Sequence, residues 1–232
     1  LAVSGDDLNG APSWPTNEFH FTRMYYPGNR FDRGWRGGGW TTDYPEAEVH
    51  FTMGVGRLTR VDIGEARMLK LTDDTIFNYP WLYAVEVGRW YLDETDAARL
   101  REYLDRGGFL MVDDFHGTLQ WASFTESMQR VFPDRPIIEL PDDHPIFHVV
   151  YDLQDRPRIP TLQHLPRGYR NDGSVPHWRA VLDDDNRVMV MITYNNDIAD
   201  GWQHADNPYY PHESANLALR MGVNFAVYTL TH

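Results

Sequence analysis

The 232-residue chain contains no cysteine. Thiol nucleophiles, disulfides, cysteine-ligated zinc and iron–sulfur clusters are excluded together. Positive charge is scarce: 21 Lys and Arg stand against 34 Asp and Glu, leaving a formal charge of −13 and a pI near 5.1. Such a surface lacks the basic stripe that releases counterions from phosphates, which argues against nucleic acid and against an anionic membrane held by charge alone. Long apolar runs are missing too. The longest obvious one, Val188–Ile192, is far below the ~18 residues that span a bilayer, so no transmembrane segment of its own is expected. The chain has no Gly-x-Ser-x-Gly elbow and no Gly-x-x-x-x-Gly-Lys loop, and Gly54-Val-Gly56 does not follow a strand in dinucleotide-binding fashion. Serine hydrolases, P-loop NTPases and Rossmann dehydrogenases are poor matches.

What is present is a globular composition, 42% hydrophobic and 14% aromatic, which rules out a disordered chain. At about 150 residues per domain the length fits one large domain or two small ones. No composition break or internal repeat divides it. The expectation is therefore an extended N-terminal arm over 1–17 and one α/β domain over 18–232. The polar, Gly- and Pro-containing stretch Ser4–Pro15 reads as a processed N-terminus or an arm, the look of an exported protein, although a trimmed cytosolic one would start similarly.

Hydrophobic patterning places a strand over Glu18–Tyr25, short strands at Val61–Ile63, Met68–Leu71 and Leu82–Val87, and a buried strand at Phe109–Asp113. Asp43 is positioned to cap a helix running from Tyr44-Pro45-Glu46 to about Leu58. Asp93 opens the clearest helix, which Gly107-Gly108 closes. A helix over Trp121–Phe132, a strand at Pro136–Leu140, a hairpin of Trp178–Leu182 with Arg187–Tyr194, and a final helix from Glu213 to about Leu230 complete the reading. Strand and helix alternate as in an α/β domain with a largely parallel sheet.

In such a sheet ligands bind beyond the carboxyl ends of the strands. Asp113-Asp114-Phe115-His116-Gly117 sits there and supplies two carboxylates and an imidazole, enough for acid/base work or oxygen-plus-nitrogen metal ligation. The plainer alternative is that Asp113 or Asp114 caps the next helix and His116 bonds the backbone. His144 and His148 lie four apart, a spacing that suits a metal or simply a capped turn with surface imidazoles. Asn195-Asn196-Asp197 and Asp200-Gly201-Trp202 offer oxygen ligands without calcium-hand spacing, and read as an Asx-rich turn. The Trp/Arg/Gly segment Pro27–Trp40, with Trp35, Arg36 and Trp40, and a second loop holding Trp202, Tyr209 and Tyr210, have the composition of partner-binding surfaces. Rings folded back over the core are the alternative.

Several stretches, Glu18-Phe-His-Phe-Thr-Arg23, Thr42-Asp-Tyr-Pro45, Leu100 to Gly117, Asp143-His-Pro-Ile-Phe147 and Arg220-Met-Gly-Val-Asn-Phe225, together resemble a bacterial domain-of-unknown-function family, commonly exported or membrane-associated, allied to the class I glutamine amidotransferase-like folds. The resemblance implies a flavodoxin-like three-layer sandwich with a C-terminal hairpin and helix. It also puts Phe115 about where those enzymes carry their nucleophilic Cys, so glutamine hydrolysis through a thioester is excluded. Two functions follow as expectations. The first is a non-catalytic extrinsic subunit, periplasmic and peripheral to the membrane, docking on a protein complex of which an electron-transport or light-harvesting assembly would be an example, with no cofactor. The second is a hydrolase or carbohydrate-active protein using Asp113, Asp114 and His116, with a divalent metal assisted by His20 or His144. An open cavity at Asp114 and His116 favours the second; aromatic filling there by Phe115 favours the first.

Overall fold

The computed structural model describes residues 17–26 and 39–232. In chain order the elements are β1 (Thr22–Tyr25), α1 (Glu46–Leu58), β2 (Arg67–Lys70), β3 (Trp81–Val85), α2 (Glu94–Asp105), β4 (Phe109–Asp113), α3 (Gly117–Val131), β5 (Ile138–Glu139), β6 (His177–Leu182), β7 (Val188–Tyr194), α4 (Ile198–Gln203) and α5 (His212–Thr231). The strands form one sheet in the order β2-β1-β3-β4-β7-β6-β5. The first five are parallel, and β6 runs antiparallel to both its neighbours. With β7 as fifth parallel strand this is the 2-1-3-4-5 order of flavodoxin-like sheets.

The central strands are apolar throughout because both of their faces are covered. Trp81, Tyr83, Val85, Phe109 and Met111 point into a core shared with α1, α4 and α5. Their neighbours Leu82, Ala84, Leu110 and Val112 point into a second core under α2 and α3. The result is a three-layer sandwich. Asp93 caps α2 as expected, its Oδ1 accepting the amides of Thr95 and Asp96 at 2.9 Å. The β6–β7 hairpin also matches the reading, with Asp183 Oδ1 taking the amides of Asp185 and Arg187 in the turn.

Three elements differ from expectation. Val61–Ile63 is no strand; it leaves a single bridge from Ile63 to Phe19. Helix α3 starts at Gly117 rather than Trp121, because Asn195 accepts the Gly117 amide and Asp172 the Thr118 amide, each at 2.9 Å. Those caps arrive from 50 or more positions away in the chain and leave no local signature. The segment expected as an Asx turn and exposed loop contains α4, whose N-cap Asp197 accepts the Asp200 amide at 3.1 Å.

Helix α4 also moves Trp202. Expected in a partner-binding loop, its ring is buried beside Phe51 at 4.4 Å and Tyr83 at 5.9 Å, and its Nε1–H donates to the Ala218 carbonyl at 2.9 Å. It is a core residue. Tyr210 is likewise buried, its hydroxyl donating to the Pro160 carbonyl at 2.7 Å. Tyr209 is 85% exposed, and Trp40 is half-buried against Tyr25. Trp35, Arg36 and residues 1–16 of the expected arm lie outside the described residues.

Candidate functional site

The chain leaves β1 toward β2 on one side and β3 toward β4 on the other, so the sheet opens a crevice above the carboxyl ends of β1 and β3. A cavity of about 610 Å³ occupies that place. Five carboxylates line it: Asp43, Glu86, Asp114, Asp197 and Asp200. Facing them are the guanidiniums of Arg89 and Arg170 and the imidazoles of His164 and His204. Leu162 is the sole apolar side chain of the lining among the described residues. A space built this way holds water, ions or a highly polar ligand.

Each acid reaches the cavity from the end of an element. Glu86 follows β3 and Asp114 follows β4, both with left-handed backbone, at φ 54° and 49°. Asp43 lies before α1 at φ 64°. Non-glycine residues in that region carry a conformational cost, and their clustering around one cavity is the pattern of a functional site. Asp43 does not cap α1: its side chain makes no cap hydrogen bond, and its backbone carbonyl accepts the Ala47 amide instead. Its loop is pinned by Arg23 of β1, 1% exposed, which pairs with Glu48 of α1 and donates from Nη1 to the carbonyls of Trp40 and Thr42 at 2.9 Å.

The segment before β6 closes the crevice. Arg170 donates from Nη1 to Asp114 Oδ1 at 2.9 Å and from Nη2 to Glu86 Oε1 at 2.8 Å. Asn171 donates to the His116 carbonyl at 2.8 Å. His116 Nε2 lies 2.9 Å from Asp114 Oδ1, while its buried Nδ1 has no hydrogen-bond partner among the described residues.

Burial, then the neighbouring carboxylates, hold Asp43, Asp114 and Asp197 well above the ordinary carboxylate range. Asp200 is raised by burial and partly relieved by the Leu162 amide. Burial, then Arg170, Arg158 and His164, push the His116 imidazole well below its usual value, so it is neutral at pH 7. Arg170 is desolvated too, yet Asp114 and Glu86 keep it firmly charged.

Of the residues proposed from sequence, Asp114 lines the cavity and His116 lies buried behind it without lining it; with Asp197 from the segment after β7, one ligand atom from each lies within 4.8 Å of the other two. Asp113 does not line the cavity. Its oxygens are taken by Thr193 Oγ1 at 2.5 Å and the Ala199 amide at 2.9 Å, and burial raises it to about 6 against those bonds. His20 stands at the opposite, amino end of β1, bonded to the Glu65 carbonyl. His144 caps its own turn, and His148 is held between Asp152 and the Asp142 carbonyl. None of these three lines the cavity. Phe115 does not fill it either: the ring packs on Phe124 at 4.8 Å and Tyr194 at 5.2 Å in the core under α3.

Sequence reasoning left Asp43 as a cap, Asp197 and Asp200 as turn residues, and Glu86 inside a strand. A usable signal existed: Glu86 and Asp114 are charged residues at the carboxyl end of an apolar run. Arg170 has none, since only tertiary structure brings it to Asp114.

A model for a domain of unknown function, DUF4159, matches residues 23–230. The chain belongs to the DUF4159 family. No curated protein matches it. The match takes in every residue named in the cavity, so the carboxylate crevice lies within the matched region of this chain. Among the described residues of this domain, no helix is long and apolar enough to cross a membrane.

Proposed function

We propose that this DUF4159 domain is a divalent-cation-dependent hydrolase whose cation sits between Asp114, His116 and Asp197. One observation carries the reading: Asp114 and Asp197, each about 2% exposed or less, face a polar cavity at the sheet's switch point, with an imidazole in reach. Buried charges are normally paired or coordinate metals; Asp114 is paired with Arg170, whereas Asp197 has no ion pair among the described residues, and two carboxylates with one imidazole suit manganese, zinc or iron. Held by these three residues, a divalent cation would supply an activated water by lowering its pKa. The water's oxygen bonds to the ester carbon or phosphorus, the bond to the leaving oxygen breaks, and that oxygen receives the proton the water gave up.

The likeness to amidotransferase-like folds belongs to the same proposal. It is supported by the 2-1-3-4-5 strand order and by the turn from β4 into α3, where enzymes of such folds present a nucleophile on a strained elbow. The left-handed non-glycine residue at that turn is Asp114, not Phe115. On this reading a carboxylate would take the place expected of the thiol.

Titration of chelator-stripped protein with Mn²⁺ tests the reading. At 100 times Kd the cation is expected to stabilise the fold by about 2.7 kcal/mol, a rise of roughly 5–11 °C in Tm for a chain of this size. An unchanged Tm, with no cation-dependent hydrolysis of p-nitrophenyl phosphate or acetate, would sink it. A second reading, docking as an extracytoplasmic extrinsic subunit, is supported by the exposed Tyr209 and by Tyr44, Val49 and Met53 on and beside α1. Recovery of a bare monomer from gently extracted native membranes would contradict it.

A further inference from the structure

We propose that the cavity holds a second divalent cation, between Asp43, Asp197 and Asp200, so that Asp197 bridges two metals. The inference rests on the proposed first cation site and extends it. One carboxylate oxygen from each of the three residues lies within 4.8 Å of the other two, and Asp197 belongs to both constellations.

A group of acids alone would not make a site. What points to a ligand is Asp43 Oδ2, an oxygen in the cavity wall that is shut off from solvent and has no hydrogen-bond partner among the described residues. The hydroxyl of Thr42 beside it is in the same position. Neither Asp43 nor Asp197 forms an ion pair among the described residues. Three guanidiniums near the cavity have partners other than these two acids: Arg23 pairs with Glu48 and loop carbonyls, with its buried Nη2 left without a hydrogen bond among the described residues, Arg89 pairs with Glu86, and Arg170 pairs with Asp114 and Glu86. Asp200 gives Oδ2 to the Leu162 amide, and its Oδ1 stands 3.6 Å from His204 Nε2, beyond hydrogen-bond range. Of the three acids, Asp43 thus has the oxygen left buried without a partner among the described residues, while Asp200 Oδ1 has only the longer ion-pair contact to His204.

The two sites differ in chemistry. Three carboxylates favour a hard ion such as Mg²⁺, Mn²⁺ or Ca²⁺, while the site with His116 accepts a softer one. Metals sharing a carboxylate lie about 3.5–4 Å apart, the spacing that clamps the attacking and leaving oxygens of an in-line displacement. Phosphate esters are the substrate class that such a pair suits.

The test is the Mn²⁺ content of the dialysed chain with its electron paramagnetic resonance spectrum. The wild type is expected to hold two ions per chain with an exchange-coupled spectrum. Asp43→Asn is expected to hold one, with an uncoupled six-line signal, and Asp200→Asn provides a second variant with the same expectation. Near-UV circular dichroism checks that both remain folded. A wild-type content that Asp43→Asn and Asp200→Asn leave unchanged overturns the second site. If that unchanged content is one ion that Asp114→Asn removes, the first site stands. No bound Mn²⁺ in the wild type overturns both.

Discussion

Replacing Arg23 by alanine is expected to destabilise the chain by about 3–5 kcal/mol, the usual consequence of removing one partner from a buried ion pair. Arg23 and Glu48 are both almost wholly buried, and truncation would strand the Glu48 carboxylate in the core between β1 and α1. It would also free the carbonyls of Trp40 and Thr42, which Arg23 holds at 2.9 Å, and its stacking over Tyr83 at 5.1 Å. Denaturant unfolding reads the loss directly. The double variant Arg23→Met with Glu48→Leu separates two effects: it removes the stranded charge and should recover much of the stability, yet it leaves Asp43's loop unpinned. Cation binding at Asp43 is then expected to weaken although the fold is restored. A loss below about 1 kcal/mol for Arg23→Ala would mean that water reaches the pair.

Asp197→Asn is expected to act in opposite directions on stability and on binding. Asp197 is surrounded by Asp43, Asp113 and Asp200, and with no cation present its charge opposes folding. The amide keeps a carbonyl oxygen for the Asp200 amide. Metal-free protein should therefore gain about 0.5–2 kcal/mol at pH 7.5, the range common for single stabilising substitutions. Cation affinity should fall more than about 100-fold, beyond the loss that follows removal of a residue supporting a ligand.

The pH dependence has a definite sign. Asp197 has a folded pKa raised above its unfolded value, so its favourable contribution is complete below the unfolded pKa and disappears as pH rises through the folded one. The stability curves of wild type and variant, measured with chelator, should converge in acid and separate toward neutral pH, the variant lying above. A wild type that is the more stable at pH 7.5 would show that Asp197 has a structural role and that a cation is not its missing partner.

Much of this fold was legible in the sequence. β4 agrees residue for residue with the expected Phe109–Asp113, and α2 carries both its acidic cap and its glycine stop locally. Both are segments whose periodicity and end signals lie within a few residues. The site was less legible for the same reason. Asp114 could be found because it follows a buried strand in a parallel sheet. Asp43, 71 positions before Asp114, and Arg170, 56 positions after it, reach the cavity through loops whose course is set by Arg23 and by the ties of Asn171 and Asp172 to α3. Asp197 looked like turn chemistry because an N-cap and a ligand use the same residue types. Trp202 looked like a binding residue because aromatic side chains serve cores and interfaces alike; its burial against Phe51 decides between them.

The central claim is a divalent cation on Asp114, His116 and Asp197, and anomalous diffraction from crystals soaked in Mn²⁺ tests it most directly. The account predicts an anomalous peak in the cavity within ~2.0–2.6 Å of an oxygen of Asp114, a nitrogen of His116 and an oxygen of Asp197, with Asp114 drawn away from Arg170. A cavity without any peak at saturating Mn²⁺, its Arg170 bridges to Asp114 and Glu86 intact, would contradict it.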